Sequence, residues 1–149
     1  MKVTKCISLI LFVFSILTIP AYGLASSVIQ IHIKTILASQ TAGGIDPGLR
    51  NLVEDLQSVF KYSSYQLLRQ DNLNLHLNES GSVSLPGDRM MNITPRDITG
   101  GRATIELEIS TGNRQIFQTV IRLLNNSSIT VGGPKHQDGY LLFNIFNSF

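Results

Sequence analysis

The residues best suited to metal binding or acid–base work are three histidines, His32, His76 and His136, and their spacing gives them no joint role. Structural and catalytic metal sites gather His, Cys, Asp or Glu at short intervals. This chain has no His-x-His, no His-x-x-x-His, and one cysteine, Cys6, near its start. The histidines read as solvent-facing, and neither a metal nor a cofactor is expected. Nucleophilic catalysis fares no better. Ser63, Ser64, Ser80, Ser82, Ser84, Ser127 and Ser128 lack a Gly-x-Ser-x-Gly setting, which is the turn that presents a hydrolase serine. Glu106 and Glu108 are the one close carboxylate pair on a strand face. Paired carboxylates can run acid–base chemistry, but beside Arg and Thr they read as a solvated face with cross-strand partners such as Arg114 or Arg122. No catalytic residue is assigned.

Two stretches remain as candidates for recognition. The first is 132–139, where Gly132, Gly133, Lys135 and His136 could cradle an anion. It lacks the Gly-Lys-Ser/Thr ending of a phosphate loop and precedes a strand, so a hairpin connection is the better reading. The second is the aromatic group Phe60, Tyr62 and Tyr65. It could form a peptide- or glycan-binding platform, or the hydrophobic seam that docks a helix on a sheet.

The elements that must position these residues are mostly strands. Over 28–38, Ile29, Ile31, Ile33 and Leu37 alternate with Gln30, His32 and Lys34, the pattern of a half-buried strand. Asp46-Pro47 is a helix start, with an N-cap acceptor followed by proline at the first helical position. Leu49, Leu52, Val53, Leu56 and Phe60 then repeat at helical spacing, predicting an amphipathic helix from 46 to about 60 packed on a sheet. Residues 62–68 lead into a second strand, and Leu73, Leu75 and Leu77 alternate in another strand or its continuation. A short strand over 82–85, the turn Pro86-Gly87-Asp88 and a return over 89–94 follow. Over 102–110, Ala103, Ile105, Leu107 and Ile109 point inward against Arg102, Thr104, Glu106 and Glu108. Thr111-Gly112-Asn113 turns this strand into 115–124, then come short strands over 129–131 and 140–146. The expected fold is α+β: seven or eight mainly antiparallel strands with one N-terminal helix packed on them.

The first 23 residues read as a cleavable export signal. Lys2 and Lys5 precede a 14-residue apolar run over 6–19, Pro20 breaks it, and Ala21-Tyr22-Gly23 places small residues for a peptidase. The run is short of the roughly 20 residues that span a bilayer. Cleavage after Ala25 fits almost as well. The only cysteine leaves with this segment. So does the charge excess of 12 Lys+Arg over 10 Asp+Glu, because two of the lysines are in it. Residues 24–149 then form one neutral, thiol-free domain. Nucleic acid, which needs a basic field, is not an expected partner. Membrane contact is expected only through an uncleaved signal.

Ile-Asp-Pro-Gly-Leu at 45–49, Phe-Lys-Tyr-Ser-Ser-Tyr-Gln-Leu-Leu at 60–68, Val-Ser-Leu-Pro-Gly at 83–87 and Val-Gly-Gly-Pro-Lys at 131–135 together resemble a group of small exported proteins of Gram-negative bacteria. That resemblance spans most of the chain after the signal and implies export without implying an activity. Locally, 128–144 is similar to a β-hairpin of secretin channels. The expected function is a non-enzymatic interaction module of the cell envelope, periplasmic or extracellular, binding an envelope protein as an accessory to secretion or surface assembly. One alternative is a small secreted hydrolase or ligand-binding protein using 132–139. Another is a small outer-membrane barrel, suggested by the alternation of Leu141, Phe143 and Ile145 toward a terminal Phe149.

Overall fold

A computed structural model describes residues 27–149; the expected export signal and Cys6 lie outside the described residues. Eight strands follow in chain order: β1 (Ile29–Ser39), β2 (Ser64–Leu75), β3 (Gly81–Leu85), β4 (Arg89–Thr99), β5 (Arg102–Thr111), β6 (Arg114–Leu124), β7 (Ser127–His136) and β8 (Gly139–Ser148). They form two four-stranded antiparallel sheets, ordered β2-β1-β8-β7 and β3-β4-β5-β6. The second sheet is a meander of hairpins. Its tightest turns use glycine where the backbone needs positive φ, as at Gly100-Gly101 (φ 59° and 71°). The first sheet joins strands far apart in sequence: Gln30 of β1 stands opposite Ser148 of β8.

The two sheets share one core. Ile29, Ile31 and Ile33 of β1 and Leu141, Phe143 and Ile145 of β8 meet Met91, Ile93, Ile105, Leu107 and Ile121 of the other sheet. All four inward residues expected over 102–110 are buried. β4 runs five residues further than expected, through Pro95. The missing N–H is tolerated there because β3 has already ended at Gly81↔Ile93, and the register shifts between Pro95 and Asp97.

The α+β expectation is overturned. Apart from a three-residue 3-10 turn, Pro47–Leu49, the described residues contain one helix, α1 (Val53–Val59), and no N-terminal helix is laid on the sheet as a layer. The cap signal was real but caps something smaller: Asp46 Oδ1 accepts from the Gly48 N–H at 2.8 Å, starting only the 3-10 turn. Leu52 then occupies the N-cap position of α1 without a side chain able to accept a hydrogen bond. Seven residues are too few to sustain a helix alone. The periodic leucines reflect two separate plugs. Leu49 and Leu56 are buried in a minor cluster with Ile36, Ala38, Tyr65 and Leu142 over one end of the first sheet.

That cluster also explains why β1 becomes buried on both faces toward its end. The pairing with β2 shifts register between Thr35 and Ile36. Ile36 and Ala38 are buried on the face away from the main core, while Thr35 is buried toward it. β8 is accordingly buried on both faces for much of its length.

Candidate functional site

The stretch 132–139 is not a loop. Residues 132–136 belong to β7, and Gln137-Asp138 alone make the turn to β8, with Gln137 at φ 50°. A register shift between Gly132 and Lys135 accommodates Pro134. The glycines are required by close approach. A Cβ on Gly133 would collide with the Phe143 ring and stand 3.0 Å from the Leu141 carbonyl oxygen, and one on Gly139 would collide with the Ala38 carbonyl. Lys135 pairs with Tyr140 and His136 with Gly139, so the two side chains leave opposite faces of the hairpin. Lys135 is exposed, and its carbonyl accepts from Arg89 Nη2 at 3.0 Å. His136 is half-buried beside the Gly87 turn.

The aromatic group is brought together, as a clamp. Tyr65 is fully buried, whereas Phe60 and Tyr62 are half-buried against the same cluster. The Tyr65 hydroxyl donates to the carbonyl oxygens of Phe60 and Leu56 and accepts from the Tyr62 N–H at 3.4 Å. Burial raises the Tyr65 phenol above its usual value of 10.0, partly offset by the backbone bond from Tyr62. Tyr62 meets Tyr65 edge-on, with ring centres 6.4 Å apart, and lies tilted against Tyr140 at 6.3 Å. These contacts tie the exit of α1 to the ends of β2 and β8.

Glu106 and Glu108 stand on the outer face of β5, partly exposed. Glu106 is bridged on both sides, by Arg96 Nε and Nη2 at 2.7 Å and by Gln118 Nε2 at 2.5 Å. The partners expected from sequence, Arg114 and Arg122, are not the ones used. The side-chain bond from Arg96, then that from Gln118, holds the Glu106 carboxyl below its usual 4.5. This is a lateral tie across β4, β5 and β6. The histidines are dispersed. His76 follows the end of β2 that pairs with Ile29, and His136 lies at the opposite end of the sheet, paired with Gly139 of β8.

His32 sits in a place that periodicity marked only as polar. On the outer face of the first sheet, Asn72, His32, Phe146 and Ser128 stand in one row across all four strands. Gln70, Lys34, Asn144 and Thr130 form the next row. The rows floor a groove of about 340 Å³ that adjoins a second of about 310 Å³ walled by Asp55, Ser58, Val59 and Phe60. His32 Nδ1 bonds Asn72 Oδ1 at 2.5 Å, and its ring tilts against Phe146 with centres 5.6 Å apart. Sequence reasoning missed this site because its residues lie on four strands, each contributing two. The available signal was the Asn/Gln/Ser/Thr content of the polar strand faces.

Comparison with protein-family models, with curated proteins and with solved structures found no match.

Proposed function

We propose that this chain is a non-enzymatic interaction module of the cell envelope, periplasmic or extracellular, that offers the free edge of β6 to an extended segment of a partner protein. The supporting observation is a contrast among the four sheet edges. Unpaired edges invite strand addition and are normally blunted. β2 is blunted by its register shift and by the Arg69–Asp71 ion pair (2.7 Å), on residues that alternate with the outward Gln70 and Asn72 and so lie on the core side of the strand. β3 is only five residues long. β7 carries Gly132-Gly133-Pro134 and a register shift.

β6 has none of these devices beyond one irregularity near its start, opposite Ile109/Ser110. Its eleven residues include no Gly and no Pro, and it leaves Ile116, Val120 and Leu124 exposed at 36%, 56% and 48%. The exposed Arg114 and Arg122 favour a partner strand that alternates apolar with acidic side chains.

The test is a photocrosslinking residue at Val120, with one at Ser82 on the short β3 as control, in cells that make the protein. The expected result is a defined adduct from Val120 alone, mapping to an extended apolar–acidic segment and lost when Ile116→Lys/Leu124→Lys is added to the chain carrying the crosslinker at 120. Equal crosslinking from both positions, or an adduct that survives the lysines, overturns the proposal.

A further inference from the structure

We infer that the grooved outer face of the β2-β1-β8-β7 sheet is a binding site for a neutral oligosaccharide. This site is separate from the β6 edge and rests on different residues.

The two cross-strand rows are chemically uniform in a way a solvated face need not be. They present three carboxamides (Gln70, Asn72, Asn144), two hydroxyls (Ser128, Thr130) and a His–Phe pair, with no carboxylate among them. A carboxamide offers both donors and an acceptor in one plane, which suits sugar hydroxyls that need both. The Phe146 and His32 rings supply an apolar surface for the C–H face of a pyranose. Charge argues for neutrality. The one cation of the floor, Lys34, directs its Nζ to the Gly48 carbonyl at 3.4 Å, and Asp55 stands in the adjoining wall. A sheet face presents no unpaired backbone ladder, so a peptide gains none of the main-chain bonds an edge would give it.

Asn144 is the second, independent observation. It is 6% exposed, on the central strand β8, two residues from the fully buried Leu142 on the same face. Its Nδ2 donates to Thr130 Oγ1 at 3.0 Å, and Oδ1 takes no bond from the protein, although the residue lines both cavities. Oδ1 is not among the fully buried atoms that lack a partner, so it opens on the grooves, where a ligand hydroxyl can donate to it. The adjoining grooves, each at the lower end of the usual range of ligand sites, share Ser128 and Asn144, which fits a ligand of at least two rings crossing from one to the other.

The experiment titrates the purified, isotope-labelled protein separately with chitotriose, cellotriose and maltotriose, following backbone amide shifts. The expected result is saturable movement of His32, Asn72, Ser128, Asn144 and Phe146 by at least one sugar, with Kd of about 1 mM or tighter. Asn72→Ala, an exposed change that leaves the core intact, is expected to weaken that binding about tenfold or more. Val120→Lys/Leu124→Lys is expected to leave it unchanged, which keeps this inference distinguishable from the β6 proposal. No response to any of the three sugars, shifts confined to other surfaces, or undiminished binding by Asn72→Ala overturns the inference. Tighter binding of a sulfated disaccharide than of all three overturns its neutral assignment.

Discussion

The Tyr65 hydroxyl donates to the carbonyl oxygen of Phe60, five residues earlier in the chain. That bond joins the first residue after α1 to a fully buried side chain of β2, and it holds the cover over the outer cluster of the first sheet. Tyr65→Phe keeps the ring and removes the hydroxyl's bonds to Phe60, Leu56 and Tyr62, while the Tyr62 N–H still donates to the Phe60 carbonyl at 2.9 Å. The expected loss is about 0.5–1.5 kcal/mol, read as a lower urea midpoint at unchanged slope.

The same phenol sets an alkaline limit. Its folded value is raised above 10.0 by burial, so the folded state holds the proton more tightly than the unfolded state. Its contribution is complete below pH 10.0 and declines as the pH rises from there through the raised folded value. Stability measured against pH should therefore fall more steeply above pH 10.0 in the wild type than in Tyr65→Phe.

Glu106 acts in the opposite direction. Its carboxyl is held below 4.5 by Arg96 and Gln118, so the folded state favours the ionised form. The stabilisation is present above pH 4.5 and is lost as the pH falls through the depressed folded value. Glu106→Gln is expected to be less stable than the wild type near neutrality. In acid the two unfolding curves should converge.

Asn147 is fully buried on β8, opposite Ile31 and Ser127, and neither its Nδ2 nor its Oδ1 has a hydrogen-bond partner. Asn147→Leu replaces an unsatisfied carboxamide with a side chain suited to the surrounding core. The expected gain is about 1–3 kcal/mol in urea unfolding. Asn147→Asp, which adds the cost of burying a carboxylate, should lose stability.

Gly133→Ala tests the close approach of β7 to β8. The added methyl meets the Phe143 ring and the Leu141 carbonyl, and a carbonyl in a ladder cannot move aside as a flexible side chain would. The expected cost is about 1–3 kcal/mol. Gly44→Ala, where an added Cβ meets nothing within 4 Å, is the control with little effect.

Strand faces were legible in the sequence because side chains alternate with a period of two wherever one face is dry. Ala103, Ile105, Leu107 and Ile109 were assigned to the core from alternation alone, and all are buried. The turns at Gly100-Gly101 and Gly112 were marked by residues that tolerate positive φ. The export signal expected over residues 1–23 lies outside the described residues.

Long-range pairing left no local trace. The shift opposite Thr35 and Ile36 leaves an extra residue, Leu68, in β2, and the second face of β1 is buried at Ile36 and Ala38 only because Leu49, Leu56, Tyr65 and Leu142 gather over it. The leucines of 49–56 fit a helical period, yet what they fill is a cluster made by Tyr65 and Leu142, so the helix extends only far enough to reach it. The glycines of 132–139 resembled an anion cradle and instead make room for Phe143 and Ala38. The polar rows through His32 and Asn144 exist only because β8 inserts beside β1, which among the described residues are the last strand and the first. Sequence alone determined which residues seek the core and where the chain can turn, since those depend on each residue and its neighbours. Tertiary pairing alone decided which polar residues share a surface, since that depends on strands far apart along the chain.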